Sequence, residues 1–461
     1  MNLMYRSKQI LLILGDLLIF VFSLWLSISV RHFSVPSSDT FFLHLHYFFF
    51  ILLTSVVINY INGLYDLDDD LRGKRLLRRI LETSSVSLVA TIAYFYVIDT
   101  SEITPKTLLL LNIFFAYSLI FFWRNLFRHI ARFERLTNNI VFVGLPKETE
   151  ELIQHIETKE GKGYKVVAII NEIKEKDKSY PCEVYTDITK IRAIITTKKA
   201  HTIVVAPHLK NTLDINRELY ELLFWDVRVV DLSSFYENMM GRVPPFTFSE
   251  SWFLQNLGHK DNPIYLRIRK ALDYITGILL FGIFLLLLPV VAVLIKLDSK
   301  GPVFFSQNRI GKFGNTFRIF KFRSMFALSE DGSAEVDGAQ FAIKNDKRVT
   351  RIGRFLRKTR IDELPQCINI LKGELTLVGP RPERPQIVEK LELQMPYYSL
   401  RHIVKPGITG WAVIHQNYTD NLETSLQKLQ YDLYYIKNRS ILLDLSILLR
   451  TVNVIMRFRG Q

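Results

Sequence analysis

Four apolar runs, at residues 10–30, 45–61, 84–98 and 108–127, fill the first third of this 461-residue chain, with basic segments between them. A bilayer core about 30 Å thick takes about 20 apolar residues of helix to cross. The runs therefore predict a four-helix transmembrane bundle over residues 1–135, the third run being short. Charge gives the orientation. Arg6 and Lys8 precede the first run, Arg72, Lys74, Arg75, Arg78 and Arg79 separate the second from the third, and Arg124, Arg128, Arg132 and Arg135 close the fourth. Residues 31–42 and 99–107 carry far fewer cations, so both ends of the bundle are expected on the cytoplasmic side. The first run has no convincing leader and cleavage site and is read as a retained span. Asp16 inside it is either a functional intramembrane acid or a packed, paired one.

Hydrophobic residues make up 49% of the chain, yet its net charge is +14, so greasy and basic segments must be segregated. A basic cytoplasmic part facing anionic lipid accounts for that combination. Nucleic acid is the other usual partner of such charge, but no zinc spacing or nucleic-acid-binding motif accompanies it, and none is expected. Cys182 and Cys367 are the only cysteines and lie far apart, which argues against a disulfide framework and suits a reducing compartment. Cys367 reads as a core residue.

From residue 139 to about 250 the texture becomes soluble α/β. NIVFVG, YKVVAII, HTIVVAP and DVRVVDL alternate with helical stretches and predict a small parallel, Rossmann-like sheet. Dinucleotide binding would need G-x-G-x-x-G after the first strand, whereas the turn here holds Gly144 alone, followed by Leu145, Pro146 and Lys147. A structural or regulatory domain is the expectation.

A fifth apolar run, residues 274–295, has Arg267, Arg269 and Lys270 before it and Lys296 and Lys300 after it, with Pro289 inside. Cations on both flanks contradict a simple crossing. The economical reading is a re-entrant helix that dips into one leaflet, breaks near Pro289 and returns; the alternative is an ordinary span, since bent helices with a proline do cross membranes. Downstream, residues 302–325 read as two strands around a turn at 311–315, residues 328–340 as an acidic surface loop, and residues 441–456 as an interfacial amphipathic helix.

The chemistry concentrates after that helix. TRIDELPQCINIL, residues 359–371, centres on Asp362 and Glu363; locally Asp362 reads as an N-cap, with Pro365 in the first turn and Gly373 as the stop. In RIFKFRSM, Lys321 and Arg323 share one strand face and can present two cations to a phosphate. In VGPRPERP, prolines 380, 382 and 385 stiffen the backbone around Arg381 and Arg384, so these guanidiniums need little ordering to grip an oxyanion. Lys405 sits in a rigid turn beside Pro406 and Gly407, and Arg348, Arg351, Arg354, Arg357, Lys358 and Arg360 precede the acidic pair. Some of these face lipid; others would keep Asp362 ionised and able to attack phosphorus.

In order, KFRSM, TRIDELPQCINILKGELTLVGPRP, VKPGITGW and YDLYYIKNRSILLDL resemble the monotopic bacterial sugar transferases, the polyprenyl-phosphate hexose-1-phosphate transferases. The motifs cover residues 264–461, and the preceding two thirds resemble the family's larger branch. The resemblance implies a membrane α-helical bundle, a degenerate Rossmann-like α/β domain and a monotopic mixed α/β catalytic domain. It implies that Asp362 attacks the β-phosphate of a UDP-sugar, that UMP leaves, and that undecaprenyl phosphate takes the phosphosugar, starting a capsule, exopolysaccharide or O-antigen.

It also implies Mg²⁺ held by Asp362 and Glu363, and substrate-binding roles for Arg309, Lys321, Arg323, Arg348, Arg381, Lys405 and Asp444. Arg269, Lys270, Asp273 and Pro289 match the re-entrant helix. A bacterial inner-membrane location with a cytoplasmic catalytic domain follows, with a homodimer as the arrangement suggested by the family. The sequence departs from the family pattern at Arg360, at Leu288-Pro289, and at WAVIHQNY, residues 411–418. Other function classes are a membrane-anchored nucleotide-sugar dehydratase, which would need the absent glycine-rich turn, and a scaffold for polysaccharide assembly.

Overall fold

A computed structural model describes residues 3–65, 73–97, 105–131, 138–158, 163–171, 180–207, 209, 213–257, 262–327, 346, 348–416 and 421–456. The acidic loop expected at 328–340, and the flanking cations Arg72, Arg132 and Arg135, lie outside the described residues. Contacts divide the chain into Met1–Met240 and Gly241–Gln461.

In the first unit the apolar runs are helices α1 (Leu3–His32), α2 (Ser38–Ile61), α3 (Gly73–Val97) and α4 (Pro105–Ala131). α1 packs on α2 and α4, and α3 packs on the same two. Among the described residues of this unit, α1, α2 and α4 contain stretches long and apolar enough to cross a membrane; α3, rich in Ser, Thr and Arg, falls short of that criterion. The sequence left Asp16 open between two readings, and its surroundings are those of a paired group. Arg124 donates to both its oxygens at 2.9 and 2.7 Å, Tyr65 Oη at 2.8 Å and Asn59 Nδ2 at 3.2 Å. Tyr117 Oη extends the network to Asn59 and Ser87, so all four helices contribute. Arg124, counted above as a flanking cation, is 6% exposed and belongs to this interior network instead. A charge in an apolar bundle persists only with such partners.

The soluble part of the unit is a five-stranded parallel sheet of order β3-β2-β1-β4-β5, made of β1 (Asn138–Val143), β2 (Tyr164–Ile170), β3 (Glu183–Tyr185), β4 (Thr202–Val205) and β5 (Arg228–Asp231). Helices α5 (Lys147–Thr158), α6 (Ile191–Lys198), α7 (Leu213–Glu221) and α8 (Leu232–Met240) connect and flank them. Valine and isoleucine runs, buried on both faces, make the central strands, as parallel sheets require. The short β3 carries too little pattern to be read from sequence.

The second unit begins with α9 (Glu250–Leu257) and α10 (Pro263–Asp298). Residues 241–250 read as part of the α/β domain by sequence texture, yet Val243 and Phe253 pack in this unit's core with Leu377, Leu433 and Ile447. Next come the antiparallel pair β6 (Phe304–Ile310) and β7 (Thr316–Phe322), then α11 (Arg351–Thr359), α12 (Cys367–Leu371), β8 (Thr376–Val378), α13 (Pro385–Gln394), β9 (Gly407–Thr409), α14 (Trp411–His415), α15 (Leu422–Asn438) and α16 (Ile441–Met456). β8 and β9 pair in parallel.

α10 corrects one expectation: the helix does not break at Pro289 but continues as one element of 36 residues to Asp298. At 1.5 Å per residue it is about 54 Å long. Tyr265, Gly277, Phe284, Val291 and Ile295 form its buried stripe, while Leu279, Leu286, Val290 and Leu297 are exposed. The buried stripe meets the soluble elements along the whole helix. Tyr265 bonds Asp444, Gly277 lies against Ile370 and Leu371, Phe284 packs on Phe322, and Asp298 accepts from the amide of Ile352.

Candidate active site

α11 ends at Thr359, and Arg360 adopts the left-handed conformation (φ 60°, ψ 14°), which swings the chain into a 3-10 segment, Ile361–Gln366. Asp362 and Glu363 lie in that segment, and α12 starts only at Cys367. The expected N-cap role of Asp362 is therefore overturned: the cap position belongs to Arg360, whose side chain caps nothing. Gly373, with φ 77°, ends α12.

The two neighbouring carboxylates are both buried but differ electrostatically. Glu363 Oε1 accepts from Lys321 Nζ at 2.9 Å and Arg381 Nη2 at 2.7 Å, and Arg360 Nη1 lies at 3.6 Å. Burial pushes the Glu363 carboxyl up, but Arg381, Lys321 and Arg360 together outweigh it and hold it well below the usual carboxylate range. Asp362 Oδ1 is buried without a hydrogen-bond partner among the described residues. Burial, then the charge of Glu363, push the Asp362 carboxyl up to about 6. The hydrogen-bonded cations of this region thus gather on Glu363, while Lys321, Arg360 and Arg357 also pull the Asp362 carboxyl down against burial.

Arg381 reaches the site from a loop whose backbone is pinned throughout. The amide of Gly407 donates to the Pro380 carbonyl, Arg401 Nη2 to that of Arg381, Arg309 Nη1 to that of Pro382, and the Ile310 amide to that of Glu383. A Cβ on Gly407 would stand 2.1 Å from the Gly379 nitrogen, so only glycine lets β9 approach the loop this closely. Arg309 also faces Glu383 at 3.7 Å, and burial pulls its guanidinium down to about 10.

The other candidates lie elsewhere. β7 ends at Phe322, so the shared strand face proposed for Lys321 and Arg323 does not extend to Arg323; its guanidinium turns to the Ser299 and Lys300 carbonyls at the end of α10. Arg348 is held by Asp346 at 2.6 and 2.9 Å. Lys405 is exposed, above Gly373, and shares its surroundings with Asp273, Lys312, Lys270 and Arg269. Asp444 accepts from Tyr265 and Tyr435, both at 2.8 Å. Asp273 accepts from Thr376 Oγ1 and the Leu377 amide, and Arg269 donates to the Val378 carbonyl. Lys270 lies over the Tyr274 ring. Asp273 and Arg269 tie α10 to β8, the strand that leads into the Arg381 loop. In WAVIHQNY, Trp411 Nε1 donates to the Gly241 carbonyl at 2.6 Å, and His415 stacks on Tyr431.

Sequence reasoning assigned no role to Glu383, Arg401, Lys428 or Asp432. Glu383 binds Lys428 and Arg309, and those cations with Arg401 bring its carboxyl down to about 2 against the opposing effect of burial. Arg401 directly precedes HIVKPGITGW and Asp432 lies within YDLYY, so position within the motifs was the available signal.

Residues 264–458 match the family described as bacterial sugar transferase, and residues 60–229 match the family described as CoA-binding domain. A UDP-glucose:undecaprenyl-phosphate glucose-1-phosphate transferase of Klebsiella pneumoniae is 31% identical over 441 residues, covering 91% of each chain. A UDP-N-acetylgalactosamine-undecaprenyl-phosphate N-acetylgalactosaminephosphotransferase of Aeromonas hydrophila is 42% identical over 227 residues, 49% of each chain. A Xanthomonas campestris pv. campestris protein with the same description as the Klebsiella one is 43% identical over 208 residues, 44% of this chain and 41% of that one. The chain thus spans about half the length of the Aeromonas relative and nearly all of the Klebsiella one.

Proposed function

The chain belongs to the bacterial sugar transferase family, and from that premise we propose that it transfers a hexose-1-phosphate from a UDP-sugar to undecaprenyl phosphate, releasing UMP and initiating an exopolysaccharide, capsule or O-antigen. The observation that carries this reading is the contrast at residues 362 and 363: a buried carboxylate oxygen without a partner beside a carboxylate that gathers cations. A carboxylate of Asp362 attacks the β-phosphorus of the donor, and the bond from that phosphorus to the bridging oxygen breaks, with the electron pair leaving on UMP. An oxygen of undecaprenyl phosphate then attacks the same phosphorus, and the Asp362 carboxylate departs. Splitting the transfer in two avoids direct attack of one polyanion on another.

Glu363 keeps Lys321 and Arg381 together, and these two cations serve the charge that spreads over the phosphoryl oxygens. Among the described residues there is no group of three or more His, Cys, Asp or Glu side chains disposed to cage a metal. Mg²⁺ suits the site nonetheless, because it commonly takes one or two carboxylates and completes its shell with substrate phosphates and water. Asp362, with its unpartnered oxygen, is the ligand that fits; Glu363 Oε1 is already committed to cations. When bound, Mg²⁺ would neutralise charge on the donor diphosphate.

The acceptor's phosphate lies at headgroup level. α10 suits an insertion into one leaflet of the cytoplasmic membrane, because its packed stripe runs the full length of the helix against one soluble module and its opposite face is apolar. Such an insertion would keep Asp362 on the cytoplasmic side, within reach of a lipid phosphate that stays in its bilayer.

Incubating the protein in nanodiscs with Mg²⁺ and UDP-sugars labelled at the β-phosphate tests the reading. The expected result is UMP release, with the label on the peptide containing residue 362. Label on another residue, or no UMP from any donor, overturns it.

A further inference from the structure

Arg401 is 2% exposed and Asp432 1% exposed, and the two are joined by two hydrogen bonds, from Nε at 3.0 Å and Nη2 at 2.7 Å. Neither touches Asp362 or Glu363. Two ions taken this far from water are costly, and replacing such a pair by apolar groups is often neutral or stabilising, so stability alone is a weak reason for its presence. The remaining bonds of Arg401 point to another use. Its Nη1 donates to Tyr398 Oη at 2.6 Å, and Nη2, already shared with Asp432, donates to the main-chain carbonyl of Arg381 at 2.9 Å. The side chain of that same Arg381 holds Glu363 at 2.7 Å.

We propose that the buried Arg401–Asp432 pair is a positioning device for Arg381, fixing its backbone so that its guanidinium stays on Glu363 beside Asp362. Asp432 orients the Arg401 fork, the fork anchors residue 381, and the prolines on either side of Arg381 remove the amide donors by which the loop might settle elsewhere. The neighbouring carbonyls are held separately, Pro380 by the Gly407 amide and Pro382 by Arg309, so the Arg381 carbonyl is the link made by the Arg401–Asp432 pair. Displacement of about 1 Å at such a position costs about 10²-fold in rate.

This inference rests on the proposed transferase activity for its kinetic test, and a second measurement is independent of it. Asp432→Asn is expected to lower kcat by about 10- to 100-fold with KM for the UDP-sugar changed much less. If the pair acts through Arg381, Asp432→Asn has little further effect once Arg381→Ala is in place; independent effects that multiply would overturn the proposal. Tyr398→Phe, which leaves the ion pair intact and removes one bond to Arg401, should show a smaller loss of the same kind, and it serves if Asp432→Asn does not fold. Hydrogen exchange on the full chain in nanodiscs supplies the activity-free reading. Peptides covering 379–388 should exchange faster in either variant, while 351–371 keep their protection; unchanged exchange at 379–388 in a folded variant overturns the proposal. A wild type that releases no UMP yet gives the expected exchange pattern would sink the transferase reading and leave the positioning intact.

Discussion

Arg381 donates to Glu363 at 2.7 Å, and the carboxylate one residue earlier, Asp362, has an oxygen with no hydrogen-bond partner among the described residues. Adjacent acids in one 3-10 turn thereby differ: one holds cations, and the other is the nucleophile of the proposed reaction.

Asp362→Asn removes the attacking oxygen, so UMP release should fall by at least about 10³-fold and no label should be retained on the protein. Glu363→Gln should slow labelling by about 10²-fold without abolishing it, since Lys321 and Arg381 lose their common anchor but the nucleophile survives. Equal labelling by both variants would refute the assignment.

In the proposed reaction Asp362 acts as its carboxylate, and burial with the neighbouring Glu363 charge raises its pKa to about 6. Activity should therefore be level above that value and decline as pH falls through it, by about tenfold per pH unit. Glu363, held well below its ordinary range, stays ionised throughout this window. UMP release measured against pH, with enzyme stability followed in parallel, checks this; a flat profile down to pH of about 5 would contradict it.

Arg381→Lys keeps a charge but loses the planar fork, and a drop in kcat of about 10- to 100-fold is expected. Full activity in this variant would mean that charge alone suffices there.

Gly407→Ala drives a methyl group into the Gly379 backbone, so the β8–β9 contact must open. A loss of stability of about 1–3 kcal/mol, seen as a lowered Tm, should accompany reduced turnover, because the same backbone leads to Arg381.

In the bundle, Asp16→Leu or Arg124→Leu alone leaves a buried charge unpaired, at about 3–5 kcal/mol. The double variant should be more stable than either single one in thermal unfolding in nanodiscs. Simple additivity of the two losses would argue that the residues are not coupled.

Local pattern made much of this legible. The apolar runs gave α1 to α4, alternation gave the β6–β7 pair, and α16 covers the stretch expected from its hydrophobicity, residues 441–456. The Asp362–Glu363 pair stood out because its neighbours were cationic. Pairings across long separations were hidden. Arg124 looked like a topological flank until Asp16, 108 residues away, took it inside. Arg323 left the face shared with Lys321 because its strand stopped one residue too early for the alternation to apply. The local cap rule failed at Asp362 because Arg360, in a conformation that sequence did not betray, began the turn first.

α10 has protein along one side and Leu279, Leu286 and Leu297 laid bare along the other. In the insertion proposed above, lipid is the outer wall of this module as much as its surroundings, and acyl chains cover the face that protein leaves bare. The depth of Asp362 would then follow from how far this one rod sinks, and bilayer thickness and packing would become variables of the proposed chemistry.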